Sequence, residues 1–269
     1  MNPLEMIRRL WGHRELILQL IGRDFAQSYR NTYLGALWSL LNPLLMLLVY
    51  TFIFSGILKA RWDHTDPSMP MSSFALILFA GLIPFSVFSG VMHRAPQLIA
   101  NSPNYVKKVI FPLEILPVVA VGSALVDSLI EIGILGIGLA LFLGVVSPTV
   151  VLLPLAYLPL IFLCLGLGWF LASLGVYVRD TAQGVQVVTR MLFFLTPVFY
   201  KTDAVPEALR PIWRLNPLTE VVESFRRVLI WNETLDWERW LAVTVVSGVI
   251  LLLGYAWFMK TKVGFADVI

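Results

Sequence analysis

Six apolar runs constrain this chain more than any other feature. They lie near residues 34–58, 74–92, 113–143, 149–177, 184–200 and 241–259. A helix crosses the hydrocarbon core of a bilayer with about 20 mostly apolar residues. The runs therefore predict an all-α membrane protein with six transmembrane helices in a single domain, 1–269. The third run is long enough to tilt or to project beyond the bilayer, and the fifth is the shortest. The chain is 58% hydrophobic and 14% charged, against about 25% charged in soluble domains, which argues against a soluble enzyme.

Basic residues flanking the runs set the orientation. One side collects Arg8, Arg9, Arg14, Arg23, Arg30, Arg94, Lys107, Lys108, Arg179, Arg190, Lys260 and Lys262. The other has Lys59 and Arg61 and a mixed loop, 201–240. In that loop the carboxylates Asp203, Glu207, Glu220, Glu223, Glu233, Asp236 and Glu238 outnumber the cations. Both termini are expected in the cytoplasm. Charges at Glu5, Arg8, Arg9, Arg14 and Glu15 have no apolar core before them, so insertion is expected to be driven by the spans themselves.

Between the runs lie shorter elements. In 3–27, Leu4, Ile7, Trp11, Leu18, Ile21 and Phe25 recur at helical spacing, with Asn2 as cap and Pro3 as first residue. This predicts an amphipathic helix lying at the membrane interface. In 202–231, Thr202 or Asp203 can cap one piece and Asn216, followed by Pro217, another. Each is too short to span, which predicts re-entrant half-helices on the outer side.

The motifs that carry soluble-enzyme chemistry are missing. The sequence holds no phosphate loop, no HExxH and no GxSxG. His13, His64 and His93 are far apart, and Cys164 is alone. No catalytic residue and no metal ligand is assigned, and nucleotide-driven work would require another subunit.

Four groups of residues stand out. The first is the 101–109 segment, where Ser102 can cap and Pro103 can open a short helix carrying Asn104, Tyr105, Val106, Lys107 and Lys108. It reads either as a docking element for a cytosolic partner or as a basic loop that only sets topology. The second is Asp127 and Glu131, whose i, i+4 spacing puts them on one face of the third span, with Arg190 as candidate counter-ion. Intramembrane carboxylates are costly and face the bundle or a water path; a proton site and a structural polar lock both fit. The third is aromatic: Tyr33, Trp38, Tyr50 and Phe54 by the first span, and Phe193, Phe194, Phe199 and Tyr200 on the fifth. Rings can stack on sugar faces while tolerating sliding, or simply form interface belts and core. The fourth is Asn42–Pro43, inside the first span, where proline frees the Ser39 carbonyl and bends the helix.

The stretches YRNTYLGALWSLLNPLLMLLVYTFIF, VKKVIFPLEILP, YVRDTAQGVQVV…FFLTPVFY and NPLTEVVESFRRVL occur in order. Together they resemble the membrane subunit of type-2 ABC exporters for lipid-linked polysaccharides, such as the O-antigen permeases of lipopolysaccharide biosynthesis and capsule permeases. Teichoic-acid exporters share much of the pattern. The resemblance implies a homodimer in the bacterial inner membrane, bound to two copies of an ABC ATPase. ATP and Mg would sit on that partner and no cofactor on this chain. It implies an interface helix at 3–27, a coupling helix at 101–109 and re-entrant helices at 202–231. The implied cargo is a glycan on a polyprenyl diphosphate, admitted near Arg8, Arg9 and Arg30 and passed along the aromatics of spans one and five. Surrounding lipids are the other expected contact; nucleic acid is not. A type-2 ABC exporter of a small lipid or drug shares the fold. A proton-coupled secondary transporter using Asp127 and Glu131 is the reading from another class.

Overall fold

The computed structural model describes residues 3–29, 33–57, 71–106, 111–142, 144, 147–202 and 205–268. Its regular structure is helical, with no strand among the described residues. Two N-terminal helices, α1 (Pro3–Gly12) and α2 (Arg14–Tyr29), precede α3 (Trp38–Tyr50), which continues as a wider turn through Thr51–Ile57. Next come α4 (Met71–Arg94), the short α5 (Pro103–Val106), α6 (Ile115–Phe142), α7 (Leu153–Tyr177) and α8 (Thr181–Leu195). The chain closes with α9 (Arg210–Leu215), α10 (Pro217–Arg226), α11 (Trp237–Thr261) and α12 (Phe265–Val268). Four of these, α4, α6, α7 and α11, are long and apolar enough to cross a membrane.

The central layer is α7 against α11, and its closeness comes from missing side chains. A Cβ at Gly166 would lie 2.5 Å from the Ile250 carbonyl oxygen, and one at Gly254 would collide with the Gly166 carbonyl. Small residues let membrane helices approach backbone to backbone, where packing and not the hydrophobic effect drives association. Around this layer, α4, α6 and α7 enclose a core that α10 enters with Leu218, Val221, Val222 and Phe225. Cys164 is buried in the same core.

One end of the bundle holds both termini. Met6, Ile99, Leu113, Trp169, Phe258 and Phe265 form one cluster there. Buried Glu114 accepts from Lys262 Nζ at 2.6 Å, fastening the start of α6 to the C-terminus. The opposite, loop end is joined by Ser147 Oγ donating to Asn232 Oδ1 and Thr149 Oγ1 donating to the Val228 carbonyl. Asn232 takes a left-handed backbone, φ 54°, which asparagine tolerates better than most residues.

The structure redraws several sequence boundaries. The 3–27 segment is two helices, parted at Gly12–His13, because glycine is a poor helix interior residue; Asn2 lies outside the described residues. The fifth run ends as a helix at Leu195, since Pro197 forces Thr196 into extended backbone. Phe199 and Tyr200 therefore lie beyond α8, not on it. In 202–231 the first helix begins at Arg210, after a turn at 207–209, and Asp203 lies outside the described residues. The second helix is capped by Asn216, whose side chain accepts from Leu218 N at 3.1 Å.

Candidate functional site

At the terminal end, α2, the foot of α4 and α5 surround a cavity of about 700 Å3. Arg23, Asp24 and Gln27 come from α2, Arg94 from the foot of α4, Gln97 from the turn that follows it, and Tyr105 from α5. Asp24 pairs with Arg94 at 2.5 Å, while Arg23 Nη2 donates to the Tyr105 hydroxyl at 2.8 Å. Tyr105 also stacks on Phe111, centroids 4.2 Å apart and planes at 10°. Leu20, Leu116 and Val119 supply an apolar wall. Guanidinium groups beside an apolar wall suit an anionic group with a greasy tail.

Ser102 and Pro103 line this cavity and start α5, which carries Asn104, Tyr105 and Val106. Lys107, Lys108 and Arg30 lie outside the described residues. Arg8 and Arg9 are exposed on α1 and do not line the cavity. The guanidiniums that do are Arg23 and Arg94. In the sequence these were only two among many topology-setting cations; their convergence depends on the α2 to α4 contact.

Arg94 also borders a second cavity, of about 240 Å3, reached by Trp38, Asn42 and Pro43 of α3, Ser86 of α4, and Asp127 and Glu131 of α6. Ser86 Oγ donates to Glu131 Oε2 at 2.8 Å. The two carboxylates thus share one face, as their spacing requires, but the arginine brought to their cavity is Arg94. Arg190 is exposed on α8. Asn42 and Pro43, where the sequence predicts a bend, line the same cavity, Pro43 buried in α3.

The aromatic residues fall into two groups. Tyr33, fully exposed, and Trp38 lie at the start of α3. Tyr50, Phe193, Phe194 and Phe199 cluster at the far end of α3 and α8: Phe193 meets Phe199 at 4.9 Å and Phe194 at 5.5 Å, and Tyr50 meets Phe199 at 5.8 Å. Tyr200 donates to the Phe194 carbonyl at 2.7 Å and accepts from Trp213 Nε1 at 2.7 Å. The Phe54 side chain lies outside the described residues.

The loop end is fastened by a residue the sequence did not single out. Arg226, on α10, is 0% exposed. It donates to the carbonyls of Ile77, Pro197 and Val198, at 3.3, 2.7 and 2.5 Å, and pairs with Glu223 at 3.2 Å. Burial pushes its guanidinium down to about 10 while Glu223 acts the other way, so it stays charged at neutral pH. Its planar fork joins α10 to α4 and to the chain leaving α8.

Comparison with known proteins bears on these elements. The chain is 29% identical over 271 residues to an O-antigen export system permease, RfbA, of Myxococcus xanthus, covering 98% of this chain and 99% of that one. It is 27% identical over 262 residues to an O-antigen export permease of Klebsiella pneumoniae, covering 95% of each. The polysialic acid transport protein KpsM of Escherichia coli is 25% identical over 214 residues, 77% of this chain and 78% of that one. The family described as "ABC-2 type transporter" matches residues 15–230. That match runs from α2 to the turn after α10, through both cavities, the aromatic cluster and Arg226: the chain belongs to the ABC-2 type transporter family.

Proposed function

We propose that this chain is the permease of an ABC exporter that moves a polyprenyl-diphosphate-linked polysaccharide, of O-antigen or capsule type, from the cytoplasm across the bacterial inner membrane. A pair of such chains would form the conduit and two copies of a separate ATPase would drive it. In this reading α3 with its continuation and α8 act as the first and fifth of six spans. Both termini face the cytoplasm, and α9 and α10 are re-entrant on the outer side.

One observation carries the paired conduit. α8 exposes Gln183, Gln186 and Arg190 together with Val187, Val188, Met191 and Phe194. A span with polar and charged groups on an open face does not suit lipid; a water-filled path against a second copy satisfies it. α3 exposes Leu44, Leu45 and Leu48, and its continuation exposes Phe52, close to the aromatic cluster. The names of the relatives supply the cargo: O-antigen and polysialic acid are polysaccharides.

The mechanism follows from the elements. The diphosphate is drawn to the guanidiniums of the terminal end, each basic residue near the surface contributing roughly 1 kcal/mol. Closure of the ATPase pair pushes on Ser102–Val106. Through the Tyr105–Arg23 hydrogen bond that push reaches α2, and the two protomers part along α3 and α8. The sugar chain then slides past Tyr50, Phe193 and Phe199.

The test is reconstitution of the chain with its ATPase in vesicles loaded with a lipid-linked glycan. Glycan should appear on the far side only with ATP, and dissipating a proton gradient should leave the rate unchanged. Movement by the isolated chain, or movement driven by the gradient through Asp127 and Glu131, overturns the reading.

A further inference from the structure

A third cavity, of about 220 Å3, lies at the loop end between α10 and the first turns of α11. Drug-sized sites start near 300 Å3, so this one takes only a compact polar group. Thr219, Glu220 and Glu223 of α10 face Arg239, Ala242 and Val243 of α11 across it. Thr219 and Glu220 are each only 7% exposed.

The carboxylates of the lining accept few hydrogen bonds. Glu220 Oε1 accepts from Ser224 at 3.1 Å, and Glu223 Oε1 accepts from Arg226 at 3.2 Å and lies 3.5 Å from Thr202 Oγ1. Among the described residues, none of these bonds uses the second oxygen of either carboxylate, and the Thr219 hydroxyl has no partner. Burial pushes Glu220 up to about 7. Asp236 adds to that shift, and Ser224, Arg227 and Arg239 oppose it. Arg239 stands half-exposed at the rim, its Nε 3.5 Å from Asp236.

The surroundings say where such a group comes from. Ala242 and Val243 continue into the exposed Leu241, Val245, Val246 and Val249 of α11. Trp237 and Trp240 sit at the same level, Trp240 Nε1 donating to the Leu155 carbonyl at 2.8 Å. Tryptophans at a helix end mark the headgroup layer of a bilayer. A metal ion needs more ligands than two carboxylates supply. Among the described residues no three His, Cys, Asp or Glu groups gather. A sugar ring would find no aromatic face in the lining.

We propose that this cavity binds the headgroup of a zwitterionic aminophospholipid, its ammonium held by Glu220 and Glu223 and its phosphate by Arg239. An ammonium brings three donors and no acceptor, which suits the carboxylate oxygens that those bonds leave over. A guanidinium forks a phosphate. The acyl chains run down the apolar side of α11. The assignment rests on the proposed orientation only in naming the leaflet, the outer one.

The full-length chain, purified and placed in nanodiscs of mixed phosphatidylethanolamine, phosphatidylcholine and phosphatidylglycerol, tests it by counting retained lipids with native mass spectrometry. Phosphatidylethanolamine should be retained over phosphatidylcholine, which lacks N–H donors, by about tenfold, a difference of one good interaction. The preference should be larger at about pH 8 than at about pH 6, since Glu220 ionises between them. Glu220→Gln should erase the preference for the primary amine, whereas Arg239→Gln should weaken retention of all three lipids alike. Equal retention by the unaltered chain overturns the proposal. So does a Glu220→Gln variant that melts normally and keeps the preference. Labelling a Glu238→Cys variant from one side of intact vesicles reports the leaflet separately, so a wrong orientation and an empty cavity give different results.

Discussion

At the scale of single residues, Arg226 shows how far a sequence can mislead by locality. In the chain it is one of six cations in a loop of mixed charge, and its spacing suggests only the i, i+3 partner Glu223. One of its partners, the Ile77 carbonyl, lies on another helix, 149 residues away along the chain. No periodicity encodes that contact. Removing one partner of a buried charged network leaves the others unsatisfied and costs about 3–5 kcal/mol. Arg226→Met should therefore lower the melting temperature of the solubilised protein sharply, and Arg226→Lys should recover only part, because an ammonium lacks the fork. Gly81→Ala offers an independent probe, since a Cβ there would lie 2.7 Å from Arg226 Nη2. If Arg226→Met melts like the unaltered protein, the clamp carries no stability. The Asp127–Glu131 pair is the opposite case: its shared face was legible from spacing alone, while its neighbours Ser86 and Arg94 were not.

At the scale of elements, apolar runs located the long helices and misjudged some of their ends. Hydropathy does not register that Pro197 stops α8, or that Gly12–His13 parts α1 from α2; backbone chemistry decides both. Pro43 was legible as a proline inside the first span but its cavity was not, because three separate helices build it. Pro43→Leu should insert and melt normally yet lose ATP-driven export; unchanged export would make the bend incidental. The α7–α11 seam makes a different prediction. A methyl at Gly166 collides with backbone at Ile250, not with a flexible side chain, and overpacking of this kind costs about 1–3 kcal/mol. Gly166→Ala should lower the melting temperature, whereas Gly133→Ala, with nothing within 4 Å of the added methyl, should not.

For the whole molecule, the proposed function demands that work done at the terminal end reach α3 and α8. Tyr105 ties α5 to α2 by its hydroxyl and to Phe111 by its ring. Tyr105→Phe keeps the stack and loses only the bond. Hydrolysis by the assembled transporter should persist while export falls; equal loss of both would mean a purely structural part. The proposed conduit places a second copy against α8, and Cys164, the chain's one cysteine, is buried, so an engineered thiol reports cleanly. A disulfide forms only when Cα atoms come within about 7 Å. Met191 and Phe194 stand on the exposed face of α8, and Val249 on the exposed face of α11. If two copies meet along α8, oxidation of Met191→Cys or Phe194→Cys in membranes should yield a covalent dimer, and ATP turnover by the bound ATPase should change its yield. Val249→Cys, facing lipid in the same arrangement, should stay monomeric. Dimers from Val249→Cys with none from α8 would move the interface to the opposite side of the bundle, leaving the exposed Gln183, Gln186 and Arg190 without a conduit to line.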